Sequence, residues 1–119
     1  MQNHNRILVL PVQTYHNVRA PLSKYNLEID KAVTLIDRYF VNVSSTSWMK
    51  MMIDKVVSEI PLNSEVHLVL IGHPLINVMA VQALLGYGVS KLYLYGWDAK
   101  HRRYTRILLD KDGRVLAHE

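Results

Sequence analysis

Val66-His-Leu-Val-Leu-Ile71 runs straight into Gly72-His73-Pro74, then Leu75-Ile-Asn-Val-Met-Ala-Val-Gln-Ala-Leu-Leu85, Gly86-Tyr87-Gly88 and Lys91-Leu-Tyr-Leu-Tyr95. The first run has strand length and is apolar except for His67. Pro74 suits the first turn of a helix, where a missing N–H costs nothing, and the glycines after Leu85 suit its end. A strand, a helix and a strand in this order form a crossover between parallel strands. The helix is apolar on nearly every side. It is therefore expected either at the sheet centre or against a second copy of the chain.

The same alternation extends outward. Arg6-Ile-Leu-Val-Leu-Pro-Val12 is an uninterrupted apolar run, as in a strand covered on both faces. A polar loop from Gln13 to Ser23 follows. The spacing of Leu27, Val33, Leu35 and Ile36 predicts a helix from about Asn26, and Tyr39–Val43 a second strand. Ser44-Ser-Thr-Ser47 offers helix N-caps ahead of Trp48, Met49, Met52, Ile53, Val56, Val57 and Ile60 at helical steps, and Pro61–Ser64 ends that helix. Tyr104–Leu109 and Arg114–Ala117, joined by Asp110-Lys-Asp-Gly113, predict a terminal hairpin. The expectation is an α/β fold, a Rossmann-like three-layer sandwich whose mostly parallel sheet ends in a C-terminal β-hairpin.

The 119 residues, half of them hydrophobic, fit one domain spanning 1–119. No run approaches the roughly 20 apolar residues of a membrane span, and no cleavage signal follows the first residues. A cytoplasmic protein without membrane attachment is expected. With no cysteine, disulfides, thiolate nucleophiles and Cys-ligated zinc are excluded. Net charge is +4, and seven of the 14 cationic residues lie after Ser90: Lys91, Lys100, Arg102, Arg103, Arg106, Lys111 and Arg114. Only Asp98, Asp110, Asp112 and Glu119 oppose them there. Such local positive charge attracts phosphates, on nucleic acid or on a small nucleotide.

Open parallel sheets bind ligands beyond the carboxyl ends of their strands. That rule nominates Thr14, Tyr15 and His16; Ser44, Ser45, Thr46 and Ser47; Gly72, His73 and Pro74 with Asn77; and Trp97, Lys100, Arg102 and Arg103. Hydroxyls and free amides at a helix N-terminus suit an anion, although a solvated N-cap run accounts for some of them. Gly72 admits close approach of a ligand. His73 is a candidate for phosphate donation or proton transfer, or is only a polar residue at a turn. Trp97 through Arg103 mixes a ring for stacking with cations for phosphate; the alternative is a solvated connection. His73, Arg102 and Arg103 are the catalytic candidates. No G-x-G-x-x-G, P-loop or G-x-S-x-G pattern occurs. The six histidines lack ligand spacing, so neither metal nor cofactor is expected. His67, inside a strand, reads as structural.

The strand, Gly/Pro turn, apolar helix, strand and Trp-Asp-x-Lys-x-Arg-Arg-Tyr connection from Val66 to Leu109 resemble CRISPR-associated Rossmann-like proteins, namely CARF-type domains and small stand-alone ring nucleases. The resemblance implies a homodimer binding a cyclic oligoadenylate across its two-fold axis. It also implies metal-independent cleavage, the ribose 2′-OH attacking the adjacent phosphodiester, as part of antiviral defence. The first loop, Gln13-Thr14-Tyr15-His16, lacks the glycine-hydroxyl turn frequent in CARF domains and leaves ring size open. Two other readings stand beside it: a nucleic-acid-binding module using the basic C-terminal third, and a non-catalytic interaction subunit using Leu75–Leu85.

Overall fold

The computed structural model describes residues 5–12, 25, 28–36 and 45–118. Their elements are β1 (Arg6–Val12), β2 (Lys31–Ile36), α1 (Thr46–Val57), β3 (Glu65–Val69), α2 (Pro74–Tyr87), β4 (Lys91–Asp98), β5 (Arg103–Leu109) and β6 (Val115–His118). The six strands form one sheet in the order β2-β1-β3-β4-β5-β6. The β1–β2, β1–β3 and β3–β4 pairs are parallel, whereas β4–β5 and β5–β6 are antiparallel. The fold is therefore α/β with a mixed sheet.

Lys31–Ile36 corrects the expected first helix. Its Val33, Leu35 and Ile36 fit a helical stripe, but the segment pairs along β1 from Ile7↔Lys31 to Val12↔Ile36. A six-residue run carries too few turns to define a period by itself, and long-range pairing decides it. The second strand of the sheet is thus Lys31–Ile36; Tyr39–Val43 lies outside the described residues. Two smaller corrections concern strand ends. β3 stops at Val69 and not Ile71, while β4 continues through Gly96 and Trp97 to Asp98 because β5 pairs with it throughout.

Alternation along the strands separates two faces. Ile7, Val9, Val66, Leu68, Leu92, Leu94 and Leu109 share a core with Met49, Ile53 and Val57 of α1 and Ile76, Ala80 and Leu84 of α2. Each fully buried aliphatic side chain there stabilises the fold by about 1.5–3 kcal/mol. Leu8, Val69, Tyr95 and Tyr104 point to the opposite face, where Tyr25 and Ile29 pack on them. Both helices therefore lie on one side of the sheet. Ser45 caps α1, its side chain accepting from the Trp48 amide at 3.2 Å. α2 ends at Gly88, whose φ of 92° lies in the left-handed region that glycine enters without strain.

α2 is not enclosed at the sheet centre as one expectation had it. Its inner stripe is buried, but Val78 is 65% exposed and Leu75 46%. Leu70, Asn77, Val78, Val81, Gln82 and Leu85 line an apolar groove of about 440 Å³ on this outer flank. No helix among the described residues is long and apolar enough to cross a membrane.

Candidate functional site

α1 leads from β2 to β3 and α2 from β3 to β4, and these strands are parallel, so both helices begin at the carboxyl rim of the sheet. Strand order reverses between β1 and β3 at this rim. Pairing of β1 with β3 ends at Val9↔Leu68, while pairing with β2 continues to Val12↔Ile36. Pro11, which has no N–H for a ladder, sits where the β3 side has no pairing to lose. Gly72 then comes back against β1: its φ is 77°, and a Cβ there would lie 2.7 Å from Val12 Cγ2.

His73 is the N-cap of α2. Its Nδ1 accepts from the Leu75 amide at 3.2 Å, which in a neutral ring leaves the proton on Nε2. His73 therefore offers a donor to an anion, and service as a base at Nδ1 requires breaking the cap. Pro74 is the first helical residue. Asn77 turns toward the apolar groove, and its Oδ1 is buried with no hydrogen-bond partner among the described residues. Thr46 and Ser47 are exposed in the first turn of α1. Thr14, Tyr15, His16 and Ser44 lie outside the described residues.

The β4–β5 hairpin is the most distinctive feature of the rim. β3 pairs with β4 only as far as Val69↔Tyr95, whereas β5 pairs on through Gly96↔Thr105, Trp97↔Tyr104 and Asp98↔Arg103. The hairpin thus projects beyond its parallel neighbour. Trp97 is half exposed and meets Tyr104 edge-on, with ring centroids 5.0 Å apart. Tyr104 belongs to the face away from the helices, so Trp97 stands on that face, while Asp98 and Arg103 alternate to the helix side. The connecting loop exposes Lys100, His101 and Arg102. Arg102 has φ 52° and is the only non-glycine residue with positive φ among the described residues.

Asp98 organises this loop. Its Oδ1 accepts from the Lys100 and His101 amides at 3.1 and 3.3 Å, and its Oδ2 lies 2.7 Å from His101 Nδ1. The imidazole contact, aided by the two amides, holds the Asp98 carboxyl below its ordinary range.

The sheet divides the nominated residues. Ser45, Thr46, Ser47, Asn77 and Arg103 belong to the helix side and Trp97 to the other; Gly72, His73 and the loop with Lys100 and Arg102 lie on the rim between them. No group of three or more metal-ligating side chains occurs among the described residues.

A second polar cluster, not nominated from the sequence, occupies the face opposite the helices. His67 is fully buried, with Nε2 2.7 Å from Glu65 Oε2 and Nδ1 2.8 Å from the Tyr95 hydroxyl. Arg106 Nη1 donates to the same hydroxyl at 3.1 Å, and Arg6 Nε lies 3.3 Å from Glu65 Oε2. The guanidinium of Arg106 also lies over the Tyr25 and Tyr93 rings, at 4.2 and 4.8 Å from their centroids. With His67 neutral, one proton arrangement satisfies every contact: Arg106 donates to Tyr95, Tyr95 to Nδ1, and Nε2–H to Glu65. Burial pushes the Tyr95 pKa up to about 12, against the opposing hydrogen bond from Arg106. Burial also pushes His67 below its ordinary 6.5; Glu65 opposes this, and Arg106 and Arg6 reinforce it.

Stability should therefore depend on pH through His67. Below pH 6.5 the unfolded chain takes up a proton that the folded chain refuses, so stability falls with pH until folded His67 protonates. Above 6.5 the residue contributes no slope. Urea midpoints at pH 7.5 and 5.5 measure the effect, which cannot exceed about 1.4 kcal/mol per pH unit. His67→Leu is expected to abolish this part of the slope; an unchanged slope refutes the assignment. The Asp98 carboxyl acts in a separate, more acidic window below 3.8.

Two features thus define the class: a mixed-sheet α/β protein whose two described helices lie on one face, and a cationic, tryptophan-bearing hairpin at the carboxyl rim. Comparison with protein-family models, curated proteins and solved structures finds no match in any of the three.

Proposed function

We propose that the protein binds a cyclic oligoadenylate at the carboxyl rim and opens its ring without a metal. The observation that carries this reading is the protruding hairpin, which carries a half-exposed indole on one face and exposes Lys100, Arg102 and Arg103 at and next to its tip. Indole faces stack on bases, and guanidinium groups clamp phosphates through paired charge-assisted bonds. The left-handed backbone at Arg102 adds support. An L-residue is strained there by about 1–2 kcal/mol, and strained residues concentrate where function requires them. In the cleavage step a ribose 2′-oxygen bonds to phosphorus and gives its proton to solvent water while the P–O5′ bond breaks and the departing 5′-oxygen takes a proton from solvent, yielding a 2′,3′-cyclic phosphate and a 5′-hydroxyl. Arg102, Arg103 and the His73 Nε2–H act as donors to the charge that builds on phosphate. The exposed flank of α2 supports the homodimer in this reading. Tyr25 and Ile29, which pack on the face opposite α1 and α2, support the third layer of this reading.

The test is incubation with cyclic tri-, tetra- and hexa-adenylate in EDTA, followed by chromatography and thermal-shift measurement. Arg102→Ala with Arg103→Ala is expected to weaken binding at least about tenfold, since charge-assisted bonds contribute about 1.5–3 kcal/mol each. Arg102→Gly should weaken binding too, yet raise unfolding stability by about 0.5–1 kcal/mol through relief of the backbone. Intact ligand and no shift with all three rings refute the proposal.

The same indole and cations favour a second reading, single-stranded nucleic-acid binding. It predicts an affinity for oligonucleotides that falls steeply between low and moderate salt.

A further inference from the structure

We infer that Asp98 is the positioning residue of the cationic hairpin. By tying the Lys100 and His101 amides and the His101 ring to one carboxylate, it fixes the turn that aims Arg102 and Arg103 at a phosphodiester. This inference rests on the phosphodiester-binding reading and adds a determinant of its affinity.

Charge alone predicts the opposite. An acidic residue among Lys100, Arg102 and Arg103 repels an anion, so its removal should tighten binding. Geometry points the other way. Asp98 pairs with Arg103 at the last rung of the β4–β5 ladder, so its side chain acts at the point where strand gives way to loop. Its three contacts engage the two residues that precede Arg102. An aspartate accepting from amides two and three positions onward substitutes for a turn's own backbone bonds. Without them, the left-handed conformation at Arg102 has no local support and the loop relaxes to less strained forms. The arginine pair then samples many directions, and a ligand must order it on binding.

The two effects separate by variant. Asp98→Asn removes the charge but keeps an amide oxygen to accept from Lys100 and His101, whereas Asp98→Ala and Asp98→Leu remove both. Binding of cyclic tri-, tetra- and hexa-adenylate is measured by titration, with Arg102→Ala/Arg103→Ala as the reference variant and thermal unfolding as a check on the fold. The expected result is at least fivefold weaker binding in Asp98→Ala and Asp98→Leu with little change in melting temperature, and restoration to wild-type strength or better in Asp98→Asn. Wild-type or tighter binding by Asp98→Ala, alongside loss in the arginine variant, overturns the inference and leaves the phosphodiester reading standing. Equal weakening in Asp98→Asn and Asp98→Ala also overturns it, since the backbone contacts would then be irrelevant. Wild-type binding by the arginine variant, or no binding of any ring by the wild type, removes both.

Discussion

Gly72→Ala is expected to destabilise the protein by about 2–5 kcal/mol. Two costs combine. A φ of 77° strains an L-residue by about 1–2 kcal/mol. The new methyl would also lie 2.7 Å from Val12 Cγ2, and overpacking of this kind costs about 1–3 kcal/mol. Val12 is β-branched and strand-bound, so it cannot swing aside cheaply. The two costs can be separated. Val12→Ala removes the obstacle but not the backbone strain, so in its background Gly72→Ala should cost about 1–2 kcal/mol, the strain alone. Urea unfolding of the four proteins with a common m-value provides the measurement. Equal costs in both backgrounds would show that the contact with β1 contributes nothing.

The second large effect lies in the polar row beneath Tyr25. Tyr95→Phe deletes the hydroxyl that accepts from Arg106 and donates to His67, leaving the buried His67 Nδ1 without its donor, at about 1–3 kcal/mol. His67→Leu leaves the Tyr95 hydroxyl without its acceptor and Glu65 without its imidazole partner, a comparable loss. Made together, the two changes should cost at least about 1 kcal/mol less than their sum, because leaving one partner stranded is worse than removing both. Strict additivity in a double-mutant cycle would show that the hydroxyl and the imidazole act independently.

The limits of the sequence as a guide follow from the range of the interactions. β1 is legible as Arg6–Val12 because an uninterrupted apolar run bounded by polar residues needs no partner to be recognised. α1 and α2 are legible from a serine cap, a proline start and a glycine end, all local signals. Lys31–Ile36 is not: its alternation is short, and only the ladder with Ile7–Val12 distinguishes strand from helix. The row Glu65, His67, Tyr95 and Arg106 escapes notice for a similar reason. Pleating alone puts Glu65 and His67 on one face, as it does Tyr93 and Tyr95. Their meeting depends on the registers His67↔Tyr93, across the α2 crossover, and Tyr95↔Arg106, across the hairpin, neither of which the composition of a single segment specifies. At the rim, residue types nominated the hairpin, but nothing in an arginine codon announces a left-handed backbone. The role of Asp98 is partly readable, since aspartate ahead of a loop is a recurrent turn signal.

The central placement of β1 bears on how the chain survives its own synthesis. Ile7–Val12 is synthesised well before one of its two ladder partners, Glu65–Val69. For that interval a sticky segment awaits its mate, open to the same segment on a neighbouring nascent chain. Arg6 at its head and Pro11 near its tail are gatekeepers of the kind that blunt such encounters, one by repulsion and the other by withholding an amide. Replacing Pro11 with valine would be felt less in the finished molecule than in the yield of soluble chains.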